Sequence, residues 1–203
     1  MAAMISFSEA KAARRKKPRQ LERVVHLHLV LRDSEPPIWR RMVVRESMWL
    51  SRLHDAIQVA FGWFDYQVHR FAVGDTVYGN PVRRENETLV EDDRDFTLAD
   101  LGLGPKEHLL YEYCFGDSWR IDIVAEKFEA AKKGVRYPHL AGGQLNGPPE
   151  DCGGPAGFKE VLYSLTHPEE PLSKEWLDWL GEGFDPHECD LAKLNKALAK
   201  LPK

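Results

Sequence analysis

Histidine and carboxylate side chains that could hold a divalent metal ion are spread over the middle and later parts of the chain. The set consists of His54, His69, Asp117, Glu150 and Asp151. Imidazole nitrogens and carboxylate oxygens bind ions such as Zn²⁺ or Mn²⁺, and a bound cation can activate water for hydrolysis. No HExxH, paired CxxC or EF-hand spacing accompanies them, so the residue types carry this hypothesis. The structural alternative is that the carboxylates cap turns or helices and that the histidines hydrogen-bond inside the fold.

Nucleophilic catalysis has two possible centres in the sequence. Cys152 lies in a glycine-rich segment and Ser118 follows a Gly-Asp pair. No Gly-x-Ser-x-Gly elbow is present, and a cysteine between small residues is more typical of a space-filling role than of an activated thiol. The glycines of residues 142–154 match neither a Walker loop nor a dinucleotide fingerprint. The sequence therefore gives no support to nucleotide binding by these motifs.

Aromatic and arginine side chains form a second candidate site, which would bind bases or a peptide. Its members are Trp39, Arg40, Arg41, Trp63, Arg70 and Trp119. Indole rings stack on bases, and guanidinium groups pair with phosphates or lie over aromatic faces. The alternative is that the tryptophans anchor the core while the arginines cover their faces or pair with acids.

The elements that would position these residues begin with strands. Residues 23–31 alternate apolar and polar side chains, and the run after Pro36-Pro37 is also β-like, which predicts a strand pair. Helical spacing follows, with Ser47 as the predicted N-cap and Gly62 as the predicted stop. Two hairpins are predicted around residues 74–75 and 116–118, the second at the centre of the sheet. The acidic segment 85–100 and the Gly/Pro-rich segment 136–157 are predicted to be loops.

Three helical segments end the chain, over residues 158–165, 175–180 and 188–201. Because strands come mostly first and helices mostly last, the sequence predicts an α+β fold with a mixed or antiparallel sheet, an early helix and a C-terminal helical group. Asp185 or Asp190 is expected near the start of the last helix.

The length of 203 residues and the near-average composition predict a single domain. Residues 1–23 hold seven basic and two acidic residues although the whole chain has a net charge of −4. We therefore expect a basic flexible tail over residues 1–22 and an acidic domain over residues 23–203. The tail could contact phosphates or simply be a solubilising terminus. With no apolar span, secretion signal or cysteine pair, the predicted location is the cytoplasm, with no membrane partner.

Several short motifs taken in order resemble the plasmid pRiA4b ORF-3-like family, which is often found with mobile elements. The motifs are PIWRR at residues 37–41, LH at 53–54, FGW at 61–63, HRF at 69–71, YEYCFGDSW at 111–119, PPEDCGG at 148–154 and FDP at 184–186. The resemblance implies an α+β fold and an essentially uncharacterised function. It also implies a departure, because the family usually has an aspartate at the position of Cys114 and a histidine at the position of Ile121.

Two functional hypotheses follow. The first is a non-enzymatic accessory or interaction module associated with mobile DNA, which would bind a nucleic acid or a protein through the aromatic and arginine residues and the loop at 148–154. The second is a metal-assisted hydrolase or nuclease that uses the histidines and carboxylates. The acidic domain argues against a broad nucleic-acid-binding face, since dedicated binders usually carry a basic patch on the fold itself.

Overall fold

An eight-stranded sheet organises the described part of the chain, which is residues 22–81 and 90–202 of a computed structural model. The strands are β1 (Arg23–Leu31), β2 (Trp39–Arg45), β3 (His69–Val73), β4 (Thr76–Gly79), β5 (Val90–Asp92), β6 (His108–Tyr113), β7 (Trp119–Ala130) and β8 (His139–Gln144). The helices are α1 (Leu50–Phe61), α2 (Gly154–Thr166), α3 (Pro171–Leu180) and α4 (Leu191–Leu198). This is the predicted α+β domain with an early helix and a C-terminal helical group.

The strand order is β5-β4-β3-β6-β7-β1-β2-β8. All neighbouring pairs are antiparallel except β4 and β5, so the sheet is mixed. The hairpin of β6 and β7 lies at the centre of the order, as predicted. The other neighbour of β6 is β3. In this pair His69, at the start of β3, lies opposite Tyr113, at the end of β6.

The alternation in β1 follows the sequence pattern. Val25, Leu27 and Leu29 are buried in the core, while His26 and His28 are half-buried on the opposite face. A side-chain period of two explains this division.

Helix α1 covers the core side of the sheet with the predicted apolar stripe. Its buried residues include Leu50, Leu53 and Ile57. The predicted N-cap is wrong, because the helix begins at Leu50 and the residue before it is Trp49, without a side-chain cap. The predicted end is confirmed, since Gly62 has φ 78°, a conformation that suits glycine.

Two predicted loops contain strands. β8 lies inside the segment predicted to be irregular and forms the sheet edge beside β2. Its glycines allow a close approach, because a Cβ at Gly143 would lie 2.9 Å from Cδ of Arg40. β5 lies inside the acidic segment, whose residues 82–89 are outside the described part of the chain.

The C-terminal helices are displaced by a few residues from their predicted bounds. Asp190 caps α4 by accepting a hydrogen bond from the amide of Lys193, which confirms one of the two predicted capping residues. None of the helices in the described ranges is long and apolar enough to cross a membrane. The predicted basic tail lies outside the described residues, apart from Glu22.

Candidate functional site

The candidate site is built on the buried face of α1. His54 and Gln58 are four residues apart and therefore lie on the same side of the helix. Both are buried, and both contact the hydroxyl of Tyr111 on β6. Polar side chains in such a place need hydrogen-bond partners.

Four residues complete one another's hydrogen bonds in a closed circuit. The amide of Asp65 donates to Oε1 of Gln58 over 3.0 Å. Nε2 of Gln58 donates to the Tyr111 hydroxyl over 2.9 Å, and that hydroxyl lies 2.8 Å from Nδ1 of His54. Nε2 of His54 lies 2.9 Å from Oδ1 of Asp65, which closes the circuit.

The circuit assigns the proton of the neutral His54 ring. Because the Asp65 amide can only meet an oxygen, the side-chain nitrogen of Gln58 faces Tyr111 and donates to it. The Tyr111 hydroxyl then donates to Nδ1 of His54, and the His54 proton lies on Nε2, directed at Asp65. Burial of the Tyr111 side chain raises the pKa of its hydroxyl well above its ordinary value, so it remains a donor.

A second imidazole, from β3, stacks on the first. The ring centroids of His54 and His69 are 3.5 Å apart and the rings are inclined by 9°. Nε2 of His69 lies 2.7 Å from Oδ2 of Asp93, whose side chain is 3% exposed. Burial lowers the pKa of His69, an effect that outweighs the opposing hydrogen bond with Asp93. The ring is thereby held in its neutral form.

We call His54, Asp65, His69 and Asp93 the histidine cluster. Within the described residues, ligand atoms of His54, Asp65 and His69 lie within 4.8 Å of one another. The His54 side chain is 5% exposed whereas that of Asp65 is 50% exposed. The cluster therefore opens to solvent on the Asp65 side.

Of the five predicted metal ligands, the structure brings His54 and His69 together. Glu150 is outside this ligand group, and its carboxylate accepts hydrogen bonds from the Tyr113 hydroxyl and from the amide of Phe64. Asp117 and Asp151 are not members of the ligand group in the described ranges. Asp117 lies at the β6–β7 turn with a buried Oδ2 that has no partner there, and Asp151 is exposed with φ 61°.

Sequence analysis missed Asp65 and Asp93. Asp65 follows the predicted helix stop by three residues, and its position after Gly62 was the available signal. Asp93 belongs to the acidic segment that was predicted to be an exposed loop, yet it is buried beside His69. A run of acidic residues gives no indication of which member turns inward.

The aromatic and arginine residues do not form one exposed surface. Arg40, Trp63 and Trp119 are buried, so a ligand in solvent cannot reach them. Arg40 donates to the backbone oxygens of Ala60, Trp39 and Gln144, and its guanidinium lies over the ring of Phe61. It therefore joins α1 to the β2–β8 edge.

The remaining members lie on the outer side of the sheet. Arg41 pairs with Glu126, Arg70 pairs with Glu112, and Trp39 is half-buried. These contacts match the structural alternative, in which arginines pair with acids.

Two of the three cysteines are buried in the fold. Cys114 and Cys152 are buried, and burial raises the pKa of the Cys152 thiol to about 12. Ser118, the other candidate nucleophile, is exposed and donates to the backbone oxygen of Phe115. Ile121, which like Cys114 is a position where the resemblance implies a departure from the family pattern, is also buried in the core.

Comparison with known proteins places the chain among uncharacterised relatives. Residues 23–193 match the family model described as plasmid pRiA4b ORF-3-like protein. The uncharacterised protein y4hQ of Sinorhizobium fredii is 32% identical over 179 residues, which are 88% of this chain and 92% of that protein. The crystal structure of MM3350, a protein of unknown function from Methanosarcina mazei Go1, has a TM-score of 0.76 and 32% identity, covering 86% of this chain and 98% of that one.

Proposed function

The chain belongs to the plasmid pRiA4b ORF-3-like family, and from the site that its fold assembles we propose that it is a metal-dependent hydrolase. The observation that carries the proposal is the convergence of His54, Asp65 and His69 within 4.8 Å. Catalytic metal centres commonly use three protein ligands of these types and keep another position for water.

The outer partners of the two imidazoles support this proposal. Asp93 accepts from Nε2 of His69, so Nδ1 is the nitrogen that would bind the ion. Tyr111 lies at Nδ1 of His54, which leaves Nε2 for the ion. With metal bound, Nδ1 of His54 would carry the proton and donate to the Tyr111 oxygen. Metal-binding histidines usually have such a partner on the second ring nitrogen.

The charge of the cluster also favours a cation. Two carboxylates, from Asp65 and Asp93, lie against two imidazoles. The Asp93 carboxylate is buried, and buried charges in proteins are generally paired or bound to metal ions. A divalent cation at this place would offset both carboxylate charges.

Access for water and substrate is provided beside Asp65. Its neighbours Phe64 and Tyr66 are 67% and 70% exposed, and their rings stack with centroids 5.7 Å apart. The ion would supply a water of lowered pKa as the nucleophile. The two exposed rings would border the opening and hold an apolar or aromatic part of the substrate.

The proposal is tested by metal binding to the full-length chain, produced without a histidine tag and stripped with a chelator. We expect Zn²⁺ or Mn²⁺ to bind with one ion per chain in a calorimetric titration. Asp65→Asn should weaken binding at least tenfold, because an amide oxygen is a poorer ligand but still accepts the His54 hydrogen bond. Asp178→Asn, which changes an exposed carboxylate on α3, is the matched control and should bind as the wild type does.

Hydrolysis is then measured on the loaded protein with bis-p-nitrophenyl phosphate and p-nitrophenyl acetate. Turnover that requires the metal and is lost in Asp65→Asn supports the proposal. Stoichiometric metal without turnover on any ester would overturn the hydrolase and leave a metal-binding protein. Failure of both ions to bind would overturn the site itself. Association with mobile elements remains a prediction of the family resemblance, and the binding of a nucleic acid or protein partner remains a prediction from the sequence.

A further inference from the structure

A cavity lined by arginines lies away from the histidine cluster. It is formed where β2 ends, where α1 begins, at the β7–β8 loop and at the end of the described chain, and its volume is about 540 Å³. None of the four cluster residues lines it. This volume is within the range of small-molecule sites in proteins.

We call this cavity the arginine cavity, because the charged residues of the described chain that line it are all arginines. Arg45, Arg52 and Arg136 line it, and no aspartate or glutamate in the described ranges does. Arg45 pairs with Glu22, and Arg52 uses Nη1 to pair with Asp55 over 3.0 Å. A guanidinium has five N–H donors, so each pair leaves donors for another acceptor.

Arg136 supplies the uncompensated charge. It is exposed, and it forms no ion pair with another residue of the described chain. The charges of the three lining arginines are therefore offset by two carboxylates, those of Glu22 and Asp55, which leaves a net positive charge at the cavity. Planar guanidinium groups are suited to phosphate oxygens, which they can bind through two parallel hydrogen bonds.

Two aromatic rings complete the lining. Trp49 lines the cavity and is 46% exposed. Tyr137 also lines it, and the guanidinium of Arg45 lies 5.3 Å from the centre of its ring. An exposed indole beside cationic groups is a stacking surface for a base.

We propose that the arginine cavity binds a nucleotide, with its phosphate on Arg136, Arg45 and Arg52 and its base on Trp49. The nucleotide is either free or the phosphorylated end of a polynucleotide. The polynucleotide source has additional support from charge. Glu22 contacts Arg45 beside the cavity. In the sequence, the basic run of residues 14–19 ends three positions before Glu22.

The test uses the full-length protein and calorimetric titration with AMP, ribose 5-phosphate and a 5′-phosphorylated oligodeoxyadenylate. AMP should bind, and Arg136→Gln should weaken binding roughly tenfold or more, the loss expected for one charge-assisted phosphate contact. Lys133→Gln removes the same charge from an exposed position in the same loop that does not line the cavity. This control should change the affinity less than about twofold.

Base stacking is tested by Trp49→Leu, with Trp179→Leu as control because that indole is 48% exposed on α3. Trp49→Leu should weaken AMP binding by about fivefold or more and leave ribose 5-phosphate unaffected. Arg136→Gln lies in an exposed loop, so the test does not depend on whether Trp49→Leu folds.

Three outcomes would overturn the proposal. In the first, neither AMP nor the oligonucleotide binds. In the second, Arg136→Gln and Lys133→Gln lose the same amount of affinity for AMP. In the third, the wild type binds AMP and ribose 5-phosphate with equal affinity. If binding occurs, the source is decided by the tighter ligand. Preference for the phosphorylated oligonucleotide supports a polynucleotide end, and preference for AMP supports a free nucleotide.

Discussion

The imidazole of His54, on α1, lies parallel to that of His69, on β3, with ring centroids 3.5 Å apart. Two positive charges at about this separation would repel by about 4 kcal/mol at an effective dielectric constant of 20. Protonation of both rings at once is therefore unfavourable. Neutral imidazole is the form that binds metal ions, so the stacking opposes a doubly protonated state in which the proposed site could not hold an ion.

Asp93 is expected to act as a positioning residue for His69. Asp93→Asn weakens the acceptor at Nε2 of His69 and should lower Zn²⁺ affinity roughly 10- to 100-fold, as loss of an outer partner commonly does. Nitrogen-15 NMR of the imidazole should show a larger fraction of the Nδ1-protonated tautomer in the metal-free variant. Asp95→Asn, an exposed neighbour, is the control. An unchanged tautomer and affinity in Asp93→Asn would refute this role.

Tyr111 is expected to stabilise the fold through its hydroxyl. Tyr111→Phe leaves the buried side chains of His54 and Gln58 each without one partner. The free energy of unfolding should fall by about 1–3 kcal/mol, measured by urea denaturation. Tyr163→Phe removes a hydroxyl from an exposed ring on α2 and should change stability by less than about 0.5 kcal/mol. Equal effects of the two substitutions would show that the hydrogen-bond circuit contributes little.

Local patterns predicted the sheet centre and α1 because burial leaves a periodic trace in the sequence. The alternation of Leu27 and Leu29 with histidines is such a trace. β8 leaves none, because it is an edge strand in which Gly142 and Gly143 fit against Trp39 and Arg40. Whether a glycine-rich segment forms a strand depends on its neighbour, and local sequence does not show the neighbour.

Only part of the candidate site was predicted, because its members are brought together by contacts between elements that are distant in the chain. His54 and His69 were chosen by residue type, and the pairing of β3 with β6 brings His69 to the core beneath α1. Asp93 is 24 residues from His69 in the chain and reaches it only through the β3–β4–β5 arrangement. Arg40 shows the opposite error, because an arginine surrounded by backbone oxygens can be buried despite its charge.

The ion pairs of Glu112 make a pH-dependent contribution to stability. Burial alone would raise the pKa of Glu112, but Arg70 and Arg120 outweigh this effect and hold the pKa below its usual value. A lowered pKa in the folded state means that the stabilisation is present above the unfolded-state pKa of about 4.3 and is lost as the pH falls through the folded-state value.

Glu112→Gln should therefore lower the free energy of unfolding by about 1–2 kcal/mol at pH 7. The difference from the wild type should stay constant down to about pH 5 and shrink at lower pH. Urea denaturation from pH 3 to pH 8 measures it, and Glu91→Gln, at an exposed residue of β5, is the control. A difference that grew as the pH fell would have the wrong sign for this ion pair.

The three cysteines should differ in their reaction with iodoacetamide. Thiolate is the reactive form, and burial raises the pKa of Cys152 to about 12, so little thiolate is present there at pH 8. Cys189 is only partly buried, whereas Cys114 and Cys152 are buried. Under native conditions Cys189 should be alkylated first, and all three should react at similar rates in urea, as measured by peptide mass spectrometry. Labelling of native Cys152 as fast as Cys189 would instead indicate an accessible, activated thiol, and the nucleophilic role that its burial argues against would have to be reconsidered.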